Sequence, residues 1–395
     1  MLFRSPLVSA RNEYAYLLCA LGAGTAATKA DELQRIVAAG VYWKRVLRRA
    51  RLHGVASLLC DALKSQPRGA VPPFATVWLE EYRSETVSRS IFLTAYLARI
   101  VDRFKVDGIS SIPFKGPTLA ALAYGELGLR EFFDLDILVR SDDVRQASAA
   151  LVSLGFRPQI ELPAHLEHTF FEAENALAFR HETDGCAVEL HWALTPKYLP
   201  FLRDPDTVWQ SVTEANPGGR SIPTLGPERL LLFLCVHGAK HCWERLNWVC
   251  DVARLIDGRV PLNWGGLLAE ADLSGSRRML FVGILLARDL LGAGLPDAVA
   301  GTIEADAAAG RLARDLGRYI VTDEHRFMGS GRRLGLHLRL RERLRDRVGY
   351  AIHAALTPSV RDFESIRLPK YLSIMYLPMR PFRLLREYAG HWKRS

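Results

Sequence analysis

The sequence predicts an α+β protein in which a small mixed sheet is embedded between helical regions. Three observations predict it. Residues 1–108 carry apolar positions at helical spacing. Residues 109–195 then change to strand, helix, strand, helix, strand, strand, an order that implies a mixed sheet. After a proline- and glycine-marked stretch over 196–221, long helical patterns resume. These shifts divide the 395 residues into 1–108, 109–195, 196–325 and 326–395, enough chain for two or three structural units.

In the first region, 13–21, 29–38 and 42–65 read as helices, the last through Val46, Leu52, Val55, Leu58, Leu59 and Leu63. Gln66-Pro67-Arg68-Gly69 and Pro72-Pro73 interrupt the pattern as a loop. A long amphipathic helix follows over 76–107, with Ile91, Leu93, Tyr96, Leu97, Ile100, Val101 and Phe104 on its apolar side and Gly108 placed to end it. Nothing here points to chemistry, and His53 reads as a packing residue.

In the middle region 109–114 is a short strand. Lys115-Gly116-Pro117 then turns into a helix, because proline suits the first helical turn, where its missing N–H costs nothing. The next strand carries Asp134 and Asp136 two positions apart, on one face, with Leu135 and Ile137 on the other. Ser141 or Asp142 is placed to cap a helix that runs to Leu154 and closes at Gly155. Two strands, 176–181 and 186–194, meet at an Asp184-Gly185 turn. Beyond the loop, 228–256, 264–271, 276–291 and 298–323 read as helices, the first of them unbroken. Met328-Gly329-Ser330-Gly331 reads as a linker, and 371–388 as a segment broken by Pro378 and Pro381.

An apolar share of 49% and a charged share of 24% match an ordinary globular protein. Six cysteines without C-x-x-C spacing suggest free thiols in a reducing compartment. No apolar run approaches the roughly eighteen residues of a membrane span, and the first residues lack the apolar core of a secretory signal. A cytoplasmic protein is the expectation. The net charge of +9 is concentrated: the last seventy residues hold sixteen Lys and Arg against five Asp and Glu. Arg332, Arg333, Arg339, Arg341, Arg343, Arg345 and Arg347 dominate it. Such a block can face nucleic acid, a nucleotide or an acidic membrane, or be a solvated helix face.

Two carboxylates on one strand face repel each other unless a cation sits between them. Mg2+ is the usual answer, since it takes hard oxygen ligands from carboxylates and substrate phosphates. At the other end of the stretch, Gly116 lets backbone approach a ligand closely, and Lys115 adds a point charge to helix-start N–H groups. His237 and His241, four apart, raise zinc together with Cys235, Cys242 and Cys250, but no second ligand cluster has recognisable spacing. G-x-S-x-G, G-x-x-x-x-G-K-[ST] and G-x-G-x-x-G after a strand are all missing.

With Lys115-Gly116, a helix over 117–124, Arg130 and Asp134-Leu135-Asp136 in that order, the chain resembles the uncharacterised nucleotidyltransferase family of the DNA polymerase beta-type superfamily. The resemblance extends to Val188-Glu189-Leu190-His191-Trp192, to 237–251 and weakly to Arg380-Pro381, and covers most of the chain from about Val46. It implies that Asp134, Asp136 and Glu189 are catalytic and hold two Mg2+ ions, with Mn2+ as an alternative. It further implies that Lys115 and Gly116 hold the triphosphate, and that His237 and Lys240 line the nucleotide cleft, the alternative being a core helix with satisfied histidines. Asp251 would then hold a neighbouring basic residue. Arg130 becomes a triphosphate clamp, against an ordinary loop arginine. The superfamily usually has Gly-Ser at this turn; here Thr118 is the available hydroxyl. The donor is an NTP, ATP by default, and the acceptor a small molecule, a sugar, a peptide or an RNA end. An RNA-modifying, toxin-like enzyme using the C-terminal arginines and a noncatalytic nucleotide-binding protein are the rival readings.

Overall fold

The alternating strands of the middle region form one five-stranded sheet. The computed structural model describes residues 6–67, 69–160, 170–172, 174–201, 205–258, 260–322 and 329–356. Ahead of the sheet come α1 (Pro6–Leu21), α2 (Ala26–Ala38), α3 (Trp43–Leu52), α4 (Ala56–Leu63) and α5 (Pro73–Val106). The sheet comprises β1 (Ser111–Pro113), β2 (Asp134–Val139), β3 (Phe156–Pro158), β4 (Ala176–His181) and β5 (Ala187–His191). Between them lie α6 (Gly116–Leu119), which continues as a π-turn over Ala120–Tyr124, and α7 (Val144–Ser153). β1 runs antiparallel to β2, β2 parallel to β5, and β4 antiparallel to β5 and β3. The parallel register sets Asp136 directly opposite Glu189.

The sheet packs on α5 and α7, through Leu93, Tyr96, Leu97, Ile100 and Phe104 from one and Val144, Ala147, Ala150 and Leu151 from the other. Ile91, expected on the apolar side of α5, is instead exposed. The expected Ser141 or Asp142 cap is replaced by a 3₁₀ turn over Ser141–Asp143, and the position before α7 makes no side-chain capping bond. β3 escaped the sequence reading because three residues are too short to show an alternation.

The first helices have a different partner. α1, α3 and α4 share one apolar core with α8 (Pro227–Lys240), α9 (Leu246–Ile256), α11 (Arg277–Leu291) and α13 (Ala307–Ile320). α10 (Trp264–Ser274) and α12 (Asp297–Glu304) pack around it. The hydrogen bonds of His53 join the two groups. Its Nδ1 accepts from Leu246 N at 3.2 Å, its carbonyl from Asn247 N at 3.1 Å, and its Nε2 meets the Tyr14 hydroxyl at 2.9 Å. A buried histidine thus satisfies N–H groups at the open start of α9, the groups that have no partner within a helix.

Four expectations are corrected. The helix expected over 228–256 breaks at 241–245, where Cys242 and Trp243 adopt positive φ of 55° and 53°. Trp243 folds back against Gly238 and is fully buried; a Cβ on Gly238 would lie 2.7 Å from its ring, and one on Gly283 would lie 2.9 Å away. The stretch 196–221, read as loop, contributes to a hairpin, β6 (Val212–Ala215) and β7 (Ile222–Leu225), turned by Pro217-Gly218-Gly219. The Thr224 hydroxyl ties it to β1 by donating to Pro113 O at 2.7 Å. The helix expected over 298–323 is two, because Asp306 caps α13 by accepting from Ala308 N and Ala309 N, each at 3.0 Å. The expected Gly329-Ser330-Gly331 linker opens α14 (Ser330–Leu340), followed by α15 (Leu344–Leu356). The segment 371–388, with Arg380-Pro381, lies outside the described residues. Among those described, no helix is long and apolar enough to cross a membrane.

Gly283→Ala would place a Cβ 2.5 Å from Cys235 Sγ as well as against Trp243. It is expected to lower stability by about 1–3 kcal/mol in thermal or urea melts. Gly301→Ala, where nothing lies within 4 Å, is expected to leave the melt unchanged or slightly raised.

Candidate active site

Gly116 makes the site possible. Its φ of 55° is one that side chains resist, and a Cβ there would stand 3.2 Å from Asp134 O. The bend therefore lies directly on β2. The Thr118 hydroxyl holds the bend from inside, donating to Lys115 O at 3.0 Å; it is fully buried and does not line the cavity. Lys115 Nζ reaches across to Asp136 Oδ1 at 2.6 Å.

Asp136 is the centre of the polar cluster. His191 Nε2 lies 3.2 Å from Asp136 Oδ1 and 3.3 Å from Glu189 Oε2. On its other edge, His191 Nδ1 lies 3.2 Å from Asn175 Nδ2, an arrangement in which Nδ1 accepts and Nε2–H donates to the carboxylates. Asp136, Glu189 and His191 each offer one ligand atom, and all three atoms lie within 4.8 Å of one another. The two carboxylates fit a divalent cation, their hard oxygens suiting Mg2+ or Mn2+, while His191, its Nε2–H spent on them, orients those oxygens. Asp134, on the same strand face, lines the same cavity but is not one of these three. The sequence reading missed His191 as a participant; its signal was the i, i+2 spacing from Glu189 on one strand.

The charges explain why the cluster tolerates burial. Burial pushes the Asp134 carboxyl up, and the neighbouring Asp136 adds to this, bringing it to about 6. Burial also works against ionisation of Asp136, but Lys115 and His191 outweigh it and hold that carboxyl well below the usual range. Glu189 is held low by its hydrogen bond to His191. Burial disfavours charge on Lys115, yet Asp136 more than compensates and raises it. One end of the site is thus a carboxylate cluster with a single lysine against it.

The site opens into a cavity of about 1050 Å³ walled by the sheet, by α8 and α9, and by α3 and α5. Phe233, His237, His241 and Trp248 form an aromatic side, with the two imidazoles 4.7 Å apart. Burial and the positive charge of Lys115 keep His237 far below its ordinary value, and burial with Lys240 brings His241 to about 3. Both are neutral rings. Lys240 has no ion-pair partner among the described residues, and burial together with Lys115 lowers its value. Arg130 is buried and held bidentately by Asp251, Nε to Oδ1 at 2.9 Å and Nη2 to Oδ2 at 3.0 Å, leaving Nη1 without a partner. Tyr124, at the end of the π-turn, donates to the same Asp251 Oδ1 at 2.7 Å.

Other candidates are used up inside the fold. The cysteines are free thiols: Cys235, Cys242 and Cys250 are buried, burial pushes all three thiols up, and none belongs to the cluster that could hold a metal among the described residues. The C-terminal arginines are largely engaged. Arg341 is fully buried, donating to His337 O at 2.6 Å and Tyr198 O at 3.2 Å. Arg333 pairs with Glu244, Arg339 with Asp315 at 3.2 Å, Arg343 donates to Asp272 O, and Arg347 donates to Arg341 O at 2.8 Å.

A family model described as an uncharacterised nucleotidyltransferase matches residues 39–292, a span that contains every site residue from Lys115 to Asp251. A comparison with curated proteins gives no match. Among solved structures, the solution structure of the antibiotic-resistance factor ANT(2'')-Ia is 13% identical over 61% of this chain and 100% of that one, with a TM-score of 0.29. The crystal structure of an antigenic nucleotidyltransferase-like protein from Paracoccidioides brasiliensis is 17% identical over 54% of this chain and 95% of that one, with a TM-score of 0.30. At those scores neither likeness bears on what this chain does.

Asp134 titrates higher in the fold than when unfolded, so its stabilising contribution is present below pH 4 and is lost as pH rises through 6. Asp134→Asn is therefore expected to be more stable than wild type at pH 7.5 by about 1–2 kcal/mol and equal to it near pH 4, in denaturant melts without divalent cation. Asp251→Ala is expected to cost about 3–5 kcal/mol, because it strands the buried Arg130 charge.

Proposed function

Since the matched span exceeds half of its length, the chain belongs to the uncharacterised nucleotidyltransferase family and is an enzyme of that class, and we propose that it transfers a nucleoside monophosphate from an NTP to an acceptor hydroxyl, with release of pyrophosphate. The observation that carries the proposal is the register of Asp136 and Glu189 on adjacent parallel strands, with Lys115 Nζ 2.6 Å from Asp136. It places acidic oxygens and a phosphate-seeking cation at one point in a large cavity.

In this reading Asp136 and Glu189, with Asp134 beside them, hold the divalent cation, Mg2+ first and Mn2+ as the alternative. When bound, it supplies charge neutralisation on the triphosphate and acidifies the attacking hydroxyl. Lys115 and the backbone at Gly116 bind the phosphates, and Lys240, which has no carboxylate partner among the described residues, adds a second positive charge. The neutral His237 and His241 rings with Trp248 give the nucleoside an apolar wall without competing for the phosphates. Glu189, whose side chain is 42% exposed, is the carboxylate open to an incoming hydroxyl and accepts its proton. His191 and Asn175 fix its orientation. Arg130, with two of its donors on Asp251, acts on the phosphates only through Nη1. ATP is the first donor to assay.

Pyrophosphate release is measured with each NTP and Mg2+, in wild type and in Asp136→Ala and Glu189→Gln. Wild type is expected to release pyrophosphate with at least one NTP. Both variants are expected to lose at least a hundredfold while keeping the wild-type circular dichroism spectrum. Turnover that survives Asp136→Ala, or a wild type silent with every NTP and with both metals, would remove the proposal.

A further inference from the structure

The sheet, α8 and α9 account for one side of the cavity. The other side belongs to the N-terminal helices, to which the proposed chemistry assigns nothing. Arg48 and Arg51 stand one turn apart on α3, Arg89 on α5, and Arg245 at the position before α9; all four line the cavity. No ion pair engages any of the four among the described residues. Arg49, between the first two, behaves differently: it is buried and pairs with Glu13 at 2.8 Å. The α3 sequence therefore separates one structural arginine from two that face the cleft.

The carboxylates on this side do not neutralise the four. Glu131 is taken by Ala56 N at 3.0 Å and the Tyr82 hydroxyl at 2.8 Å, and Glu85 remains as a single exposed acid. The Arg89 guanidinium lies 4.7 Å from the centre of the Phe133 ring, itself exposed on the cavity lining. Stacking of this kind holds a guanidinium flat while leaving its edge free for a planar anion.

A second observation points the same way from deeper in the cavity. Asn247 is 7% exposed and its Oδ1 has no partner among the described residues. Buried polar atoms are normally satisfied, so an unmatched acceptor on the cavity lining marks a place where a ligand completes the set. The cavity is also as large as the upper range for a single small-molecule site, about 300–1,000 Å³. There is space for an acceptor beside a nucleotide.

We infer that Arg48, Arg51, Arg89 and Arg245 form the acceptor subsite, and that the acceptor carries a phosphate or carboxylate group near the hydroxyl that receives the nucleotide. This rests on the nucleotidyltransferase reading, which assigns the triphosphate to Lys115, Gly116, Arg130 and Lys240 and leaves these four arginines for the second substrate. Arginine forks match phosphate and carboxylate oxygens in pairs, and four arginines around one mouth, none in an ion pair among the described residues, repel a cationic acceptor.

The test uses the full-length protein with its nucleotide site saturated by α,β-methylene ATP and Mg2+. Glucose 6-phosphate, glucose and glucosamine are compared as anionic, neutral and cationic probes by ligand-observed NMR, in wild type and in Arg48→Ala/Arg51→Ala. Both arginines are exposed, and an unchanged melting temperature confirms that the double variant is folded. Wild type is expected to bind glucose 6-phosphate at least fivefold more tightly than either other sugar. The double variant is expected to reduce that preference below twofold, with nucleotide affinity by calorimetry within twofold of wild type. Equal binding of the three sugars, or a preference that survives the double variant, overturns the inference. Nucleotide affinity that falls more than twofold also overturns it, by giving these arginines to the triphosphate. Failure of the nucleotide to bind wild type overturns the underlying reading instead, while the sugar comparison, repeated without nucleotide, still decides the charge of the second ligand.

Discussion

Asp251 is a fully buried carboxylate that three parts of the chain need at once. It comes from α9 in the helical region, and it receives both the Arg130 fork and the Tyr124 hydroxyl from the connection between α6 and β2. An ionised group in the interior is costly unless paired and fully hydrogen-bonded. That demand makes the contact specific. Through it the long connection from Lys115 to Asp134 is folded back, so that the glycine bend returns to lie on β2. The lysine meets the carboxylate cluster because a residue more than a hundred positions later anchors the loop between them.

The two ends of the site are held by different kinds of force. The carboxylates are placed by strand register, a backbone matter that side-chain changes hardly move. The aromatic side and Lys240 are placed by helix packing, and α8 ends where it does because Trp243 turns back into a slot between Gly238 and Gly283. Lys115 stands between the two and answers to both. Its charge is kept by Asp136, and its position by the bend that Gly116 alone permits.

Much of this was legible in the sequence, and the parts that were not have physical reasons. Period-two alternation exposed Asp134 and Asp136 because a strand has only two faces, and the family resemblance added Glu189. The Lys-Gly-Pro turn was readable from turn chemistry, and the family resemblance supplied the expectation that Asp251 would hold a basic residue. His191 was not readable as a participant, since a histidine two residues from a glutamate marks a wet strand face just as well. The break before α9 depends on the volume available at Gly283, forty residues later, which no local pattern carries. The arginines of α3 and α5 carried no readable signal, because only docking against α9 brings them to the cavity. β3, β6 and β7 are three or four residues long and leave too little pattern to detect.

The shared core of the first and later helices has a consequence for biosynthesis. His53 and Leu246, which hydrogen-bond to each other, are 193 positions apart. At translation rates of about 5–20 residues per second, the first helices wait roughly 10–40 s on the ribosome before their packing partners emerge. Over that interval Leu17, Val46, Val55 and Leu59, all fully buried in the finished protein, remain uncovered. Chaperone capture of the nascent N-terminus is the natural demand of such an architecture, while the central sheet, with local pairings and α5 already made, matures first.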